Sequence, residues 1–261
     1  MKSLTSRDNA HFKALRRLVH HGRQRRQSGL AVLDGLHLLE SYRQHFSLPN
    51  EVIVSESGSR RPEIAAWLAT VDNGLRITSL SDGLFNELAV VDTPSGIMAV
   101  IPQLSPPPLD RVADSLLLDG VQDPGNLGSM LRSAAAAGFR QVLLSGDCAQ
   151  LWSPKTLRAA MGAHFVLAIH ENIDLPAFMA GYRGQLLATT STATQNLYTA
   201  DLGGPLAWIF GSEGQGIRPP VLAASTRQIH IPMPGAMESL NVAAAAAICL
   251  FETYRQRQVT G

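Results

Sequence analysis

The sequence predicts an α/β protein of two domains. Short apolar strands alternate with helices along almost the whole chain, which is typical of this fold class. With 261 residues, the chain is long enough for each domain to bury its own core. The alternation stops once, at PQLSPPPLD, whose four prolines cannot continue a helix or a central strand. We therefore expect a first domain at residues 1–101, a proline-rich linker at 102–112 and a second domain at 113–261.

The first domain is predicted to be a small α/β sandwich with a partly parallel sheet. Its first helix is expected to begin near Asp8 and to stop at Gly22. The apolar face of that helix consists of Phe12, Leu15, Leu18 and Val19. The strands that follow are predicted at LAVL, EVIVS, LRIT and GIMAVI. The later helices are predicted at Leu36–His45, in EIAAWLA after Pro62, and near Leu84–Leu88.

Positive charge is concentrated at the start of the chain. The net charge is only +1, but Asp8 is the single acid among eight Lys and Arg residues as far as Arg26. The six residues expected to bind phosphates of a nucleic acid are Lys13, Arg16, Arg17, Arg23, Arg25 and Arg26. The last three lie in GRQRRQSG, which is predicted to be a loop. Such contacts release counterions and make affinity salt dependent, although a solvated helix face would explain the same pattern.

Composition excludes several classes of protein. Cys148 and Cys249 are too far apart to form a metal knuckle or a disulfide framework, which favours a reducing, cytoplasmic location. The longest apolar run, Val242 to Phe251, is too short to cross a bilayer, and the first residues lack the apolar core of a signal peptide. The histidines His164, His170 and His230 show no ligand spacing, so we expect no metal.

The second domain is predicted to contain six strands and four helices. The strands are expected at SLLLDGV, QVLLS, FVLAI, QLLATT, LAWIF and QIHIP. The helices are expected in MLRSAAAAG, around Leu157 to Met161, before Gly181 and from Asn241 onward.

Three loops that follow apolar strands of the second domain carry candidate ligand-binding residues. Open α/β sheets bind ligands outside the carboxyl ends of their strands. The first loop, in LLLDGVQDPGNLGSMLRS, contains Asn126 and, six residues later, Arg132. The second, in LAWIFGSEGQGI, contains Gly211, Glu213, Gly214 and Gly216, and its glycines allow close backbone approach to a ligand. The third, in HIPMPGAMESLNV, contains Ile231, Met233, Ser239, Leu240 and Asn241.

Each loop taken singly has an ordinary structural explanation. A glycine-rich turn after a strand is usually only a turn, Ser239 is a good helix cap, and Arg132 fits a surface position. The spacing of Gly211, Gly214 and Gly216 is not the dinucleotide fingerprint, and no phosphate-loop lysine follows it. An ATP or GTP hydrolase is therefore disfavoured.

Taken together, the three loops resemble the three signature motifs of the SpoU, or TrmH, family of RNA ribose methyltransferases in the knotted SPOUT superfamily. The resemblance covers about Ser115 to Arg255. The first domain resembles the substrate-binding domain of that family, a small domain similar to ribosomal protein L30e. It implies S-adenosyl-L-methionine-dependent 2'-O-methylation of RNA. It also implies a trefoil knot closed by the C-terminal helix and a homodimer that packs through the knotted domain. The alanine run Ala243 to Ala247 is compatible with that packing, and equally with burial inside one subunit.

The resemblance also assigns roles to residues. The cofactor is expected to lie against Gly211, Gly216, Ile231, Met233 and Leu240. The catalytic residues are expected to be Arg132, Asn126, Glu213, Ser239 and Asn241. The family role implied for Arg132 is to assist deprotonation of the 2'-hydroxyl. Because an arginine is always protonated, we favour instead a clamp on the neighbouring phosphate that stabilises the emerging alkoxide.

Three other functions are weighed against this one. The L30e-like domain favours rRNA over tRNA as the substrate, by analogy of fold alone. A catalytically silent RNA-binding assembly factor of the same fold is disfavoured because the catalytic residues are all present. An oxidoreductase is disfavoured by the glycine order and by the absence of a ribose-binding acid.

Overall fold

The chain folds into two compact units. The computed structural model describes residues 2–71, 74–91 and 93–259. The first unit comprises Met1–Ser105 together with Trp152–Phe165, and the second comprises Pro106–Leu151 and Val166–Gly261. No helix or strand lies between residues 103 and 114, in the proline-rich segment. The sequence did not predict that Trp152–Phe165 belong to the first unit. A single domain boundary at the proline-rich segment assigns every later residue to the second domain.

The first unit contains a five-stranded mixed sheet. Its strands are β1 (Lys2–Leu4), β2 (Leu30–Asp34), β3 (Glu51–Ser55), β4 (Ile77–Leu80) and β5 (Ile97–Pro102). Its helices before the proline-rich segment are α1 (Ala10–His20), α2 (Gly22–Ser28), α3 (Leu36–His45), α4 (Pro62–Ala69) and α5 (Asp82–Leu88). The order is β1-β4-β3-β5-β2, with β1, β4 and β3 parallel and β5 antiparallel to β3 and β2. The predicted partly parallel sheet is confirmed, with the short edge strand β1 added to it.

The apolar face predicted for α1 is buried in the core of the first unit. Its four apolar side chains pack with residues of the sheet that include Ile53 and Met98. The side chain of Asn9 accepts a hydrogen bond from the backbone N–H of His11 at 2.9 Å and so caps the helix. The sequence pattern therefore predicted both the helix and the face that it buries.

The predicted loop after α1 is instead the helix α2. No proline interrupts this segment, and arginine and glutamine have high helix propensity. The guanidinium of Arg25 donates to the carbonyl oxygens of Leu18 at 3.0 Å and Val19 at 2.7 Å, at the end of α1. Gly29 then ends α2 with a φ of 63°. A helix of seven residues that depends on a tertiary contact has too few turns to be recognised by periodicity.

The second unit contains a seven-stranded sheet. Its strands are β6 (Ser115–Asp119), β7 (Gln141–Leu144), β8 (Ala168–His170), β9 (Gln185–Thr189), β10 (Gln195–Asn196), β11 (Leu206–Gly211) and β12 (Arg227–His230). The remaining helices of the chain are α6 (Pro124–Ala136), α7 (Pro154–Ala160), α8 (Leu175–Met179), α9 (Pro219–Ala223) and α10 (Val242–Val259). Among these, α7 belongs to the first unit. The order is β10-β12-β9-β11-β6-β7-β8, and every recorded pairing is parallel.

Most of the predicted elements of the second domain are confirmed, with three differences. The strand predicted at FVLAI begins only at Ala168, because Phe165 lies in a 3-10 turn. The short elements β10 and α9, of two and five residues, were not predicted. Over the described residues, no helix is both long and apolar enough to span a bilayer.

The long C-terminal helix α10 packs against α6 and β11. The indole N–H of Trp208, in β11, donates to the hydroxyl of Thr253, in α10, at 2.9 Å, and both groups are buried. A buried indole that lacked this acceptor would lose the free energy of an unmade hydrogen bond. The contact therefore fixes the position of α10 along the central strand of the sheet.

Candidate active site

A cavity of about 690 Å³ lies at the carboxyl ends of β9, β11 and β12. Its size is within the range of about 300–1,000 Å³ that is usual for small-molecule and cofactor sites. The apolar residues that line it are Phe210, Ile217, Leu222, Ile229, Ile231, Met233, Leu240, Val242 and Ala245. Parallel strands bring their carboxyl ends to one edge of a sheet, which explains why separate loops meet here.

The glycine loop after β11 is a tight turn that only glycine can form at its first position. A Cβ atom on Gly211 would lie 2.0 Å from the carbonyl carbon of Gly216 and 2.1 Å from the nitrogen of Ile217. Gly216 itself has a φ of 69°, a conformation that favours glycine. The backbones of Ser212 and Gly216 exchange two hydrogen bonds of 3.0 Å. Gly211 and Gly216 also line the cavity, so the turn contributes backbone without side chains to the lining.

An ion pair holds the far end of this turn against β6. Asp119, at the end of β6, is 1% exposed. One of its carboxylate oxygens accepts from the backbone N–H of Arg218 at 2.8 Å, and the other accepts from the guanidinium Nε at 2.7 Å. Arg218 also contacts the exposed carboxylate of Asp147 at 3.1 Å. The hydrogen bond that the Arg218 guanidinium donates to Asp119 raises the pKa of this guanidinium further above its ordinary value. Sequence reasoning missed this pair, whose only signal was an acid at the end of the strand LLLD.

A chain of hydrogen bonds connects the three candidate loops. The amide nitrogen of Asn126 donates to a carboxylate oxygen of Glu213 at 2.8 Å. The amide oxygen of Asn126 accepts from the amide nitrogen of Asn241 at 2.9 Å. The oxygen of Asn241 accepts from the backbone N–H of Ala243 at 2.9 Å, in the first turn of α10. Each amide is thus fixed in orientation by its partners, and Glu213 is left with one oxygen outside the chain.

The environment of Glu213 keeps its carboxyl ionised. Burial alone would raise the pKa of this group. The hydrogen bond from Asn126, together with those from nearby backbone N–H groups, outweighs burial and brings the pKa below the ordinary value of 4.5. Glu213 is therefore an anion at neutral pH.

Eight of the ten predicted catalytic and cofactor-binding residues line the cavity. They are Gly211, Glu213, Gly216, Ile231, Met233, Ser239, Leu240 and Asn241. Asn126 does not line it but bonds to two residues that do. Arg132 is exposed on α6 and is not among the lining residues. Sequence reasoning missed the lining residues Thr189, Phe210 and Ile229, all of which lie at or near strand ends.

The predicted phosphate-binding residues of the first unit separate into two groups. Exposed side chains on α1 and α2 are those of Lys13, Arg16, Arg17, Arg23 and Arg26. Arg25 is only 5% exposed and donates to the carbonyl oxygens at the end of α1. The prediction that Arg25 binds phosphate is therefore corrected, because its guanidinium already joins two helices.

The described residues offer no cluster for a metal ion. Across residues 2–71, 74–91 and 93–259, no three His, Cys, Asp or Glu side chains are grouped to hold one. His170, one of the three histidines considered above, is buried. Burial lowers its pKa, so this imidazole is neutral at physiological pH.

Comparison with known proteins identifies the family. Residues 115–251 match the SpoU rRNA Methylase family, more than half of the chain. The chain belongs to this family. Residues 9–99 of this SpoU protein also match the MRM3-like substrate binding domain. The resemblance inferred from the three loops is therefore confirmed, and so is the α/β fold.

Relatives of the SpoU protein are similar over almost their full length. The 23S rRNA (guanosine(2553)-2'-O)-methyltransferase RlmP of Bacillus subtilis is 31% identical, over 96% of this chain and 98% of its own. A solved RNA 2'-O ribose methyltransferase is 32% identical with a TM-score of 0.84, over 98% of this chain and 99% of its own. An AdoMet-bound rRNA methyltransferase from Sinorhizobium meliloti is 25% identical with a TM-score of 0.84, over 98% of both chains.

Proposed function

We propose that this protein methylates the 2'-hydroxyl of a ribose in rRNA with S-adenosyl-L-methionine as the methyl donor. The observation that carries the proposal is that the second and third loops line one cavity and the first loop is bonded to both of them, with Asn126, Glu213 and Asn241 in a single hydrogen-bonded chain. The similar proteins from Bacillus subtilis and Sinorhizobium meliloti are named as rRNA methyltransferases. The proposal therefore rests on the site as well as on the family.

The lining of the cavity fits the cofactor. S-adenosyl-L-methionine has an adenine, a ribose and an amino-acid tail, and it supplies a methyl group bonded to a positively charged sulfur. Bare backbone at Gly211 and Gly216 would allow the close approach of the nucleoside, beside the apolar side chains of Ile231, Met233 and Leu240. The Sinorhizobium relative, solved with AdoMet bound, has the same fold.

The reaction is an in-line displacement in which alignment is the main task of the protein. The ribose 2'-oxygen forms a bond to the methyl carbon while the carbon–sulfur bond breaks, with its electron pair going to sulfur and the hydroxyl proton to water. Asn126, Glu213, Ser239 and Asn241 would hold the reacting groups in register. Arg132, exposed and free of recorded hydrogen bonds within the described residues, is available to bind the adjoining phosphate and stabilise the developing alkoxide.

The first unit would bind the RNA substrate. The five exposed cations of α1 and α2 offer sequence-independent contacts with phosphates. The match to a substrate-binding domain over residues 9–99 supports this role, and we regard the domain as L30e-like. The domains would be residues 1–101 and 113–261, joined by the linker at 102–112, except that Trp152–Phe165 belong to the first compact unit.

We further propose that the second domain is knotted and dimeric. The central position of β11 between β9 and β6, with α10 packed on β11 and α6, is compatible with a C-terminal helix that passes beneath the loops after β11 and β12. The same helix exposes Phe251 and Tyr254, at 46% and 48%, which a second copy could cover. We also propose a cytoplasmic location, which the usage of cysteine in the sequence favours.

Two measurements test the proposed function. Calorimetry of the full chain should show binding of S-adenosyl-L-methionine and none of NAD; binding of NAD alone would overturn the proposal in favour of an oxidoreductase. Mapping of 2'-O-methyl groups on total RNA, with and without the gene, should show one rRNA position that loses its mark. If the lost mark lies in tRNA, the substrate is tRNA and not rRNA. Cofactor binding without any lost mark would indicate a catalytically silent RNA-binding assembly factor.

A further inference from the structure

The cavity has an acidic lining without a compensating cation. Of the 20 residues that line it, Glu213 and Glu238 are acidic, and none of these described residues is Lys, Arg or His. Carboxylates in a partly enclosed, low-dielectric site produce a stronger potential than the same groups in water. The cavity is therefore suited to a ligand with net positive charge.

The two carboxylates differ in how firmly they are held. Glu213 is anchored by Asn126 in the hydrogen-bonded chain described above. Glu238 is exposed and has no recorded hydrogen bond or ion pair to any described residue. It lies in the segment between β12 and α10, immediately before Ser239 and Leu240, which also line the cavity. Glu238 is thus the lining carboxylate that has both of its oxygens available to a ligand.

The charge of the cofactor changes during the reaction. S-adenosyl-L-methionine has one net positive charge, owing to its sulfonium, whereas the product S-adenosylhomocysteine is a neutral zwitterion. A fixed negative potential favours the first over the second, while apolar contacts and bare backbone bind both alike. A carboxylate in the lining can therefore help to exchange spent product for fresh donor.

We propose that Glu238 is a specificity-determining residue that makes the cavity prefer the cationic methyl donor to its neutral product. The inference rests on the proposed function, because it assumes that this cavity binds S-adenosyl-L-methionine. It assigns to Glu238 a role in ligand selection and none in the alignment of the ribose.

The test compares three ligands by calorimetry on the full-length protein. They are S-adenosyl-L-methionine, S-adenosylhomocysteine and sinefungin, in which a protonated amine replaces the sulfonium. Glu238→Gln should weaken the binding of the two cationic ligands by roughly three- to fivefold, the upper part of the range that one exposed charge contributes. Its affinity for S-adenosylhomocysteine should stay within about twofold of the unchanged protein. Glu238→Asp should retain the preference, and Glu40→Gln, at an exposed position outside the lining, serves as a control for the loss of one charge.

Salt provides a second readout that a purely structural role would not change. We compare the dissociation constants of S-adenosylhomocysteine and S-adenosyl-L-methionine. Their ratio should depend on ionic strength in the unchanged protein and much less in Glu238→Gln. Equal weakening of all three ligands, or no change in any, would overturn the inference. Failure of the unchanged protein to bind any of the three would instead refute the proposed function, so the two failures are distinguishable.

Discussion

The buried carboxylate of Asp119 and the guanidinium of Arg218 connect the end of the first strand of the second unit to the exit of the glycine turn, 99 residues later in the chain. A buried anion is stable only when it is paired and hydrogen bonded. The pair therefore holds the turn at the position where it borders the cavity.

Asp119→Asn should destabilise the protein and weaken cofactor binding. The substitution removes the charge that Arg218 neutralises and leaves an amide in a buried site. We expect a loss of about 2 kcal/mol in the free energy of unfolding, since hydrogen bonds between charged groups contribute on that scale. Asp147→Asn removes the exposed partner of the same arginine, 66% accessible, and should cost less than about 1 kcal/mol. Urea denaturation of both variants gives the comparison, and equal losses would contradict it.

Gly211→Ala should abolish tight cofactor binding, whereas Gly214→Ala should be tolerated. The new methyl group at position 211 would overlap the backbone of Gly216 and Ile217, which cannot move without opening the turn. A methyl group at position 214 would meet no atom within 4 Å. Calorimetry should therefore show at least about a tenfold weaker Kd for the first variant, and little change for the second. If both variants bind equally well, the turn does not contact the cofactor.

The position of the site was predictable from the sequence because parallel strands end at one edge, so loops far apart in the chain had to meet there. Gly211 and Asn241 were candidates on that basis, and the resemblance to the SpoU motifs supplied their expected roles. The ion pair of Asp119 and the burial of Arg25 were not, since both depend on which distant groups face one another in the folded chain. From charge density alone, Arg25 and Arg26 were equally good candidates for phosphate binding. Only the tertiary structure shows that Arg25 is buried and Arg26 is exposed.

Arg26→Ala and Arg25→Ala should affect different properties. Arg26 is exposed, so its loss should reduce RNA affinity and lower the salt slope of binding by about one, with a change in stability below about 0.5 kcal/mol. Arg25→Ala leaves the carbonyl groups of Leu18 and Val19 without their donor and should cost about 2 kcal/mol in stability. Filter binding at several salt concentrations and thermal unfolding measure the two effects. If the salt slope is unchanged in Arg26→Ala, α2 is not part of the surface that binds RNA.

Arg132→Lys should reduce turnover and leave cofactor binding unchanged. Lysine retains the charge of arginine but not the planar pair of donors that binds a phosphate in bidentate fashion. If that geometry stabilises the developing alkoxide, we expect the rate of the methyl-transfer step to fall by roughly a hundredfold. Because Arg132 does not line the cavity, the Kd for S-adenosyl-L-methionine should not change.

The matched control for this variant is Arg140→Lys, at another exposed arginine of the second unit, which should keep normal turnover. Single-turnover methylation of rRNA with saturating cofactor isolates the chemical step from product release. Near-normal turnover in Arg132→Lys would dismiss the bidentate clamp, because a charge without fixed geometry would then be sufficient. A loss of cofactor affinity in the same variant would contradict the separation of Arg132 from the cavity.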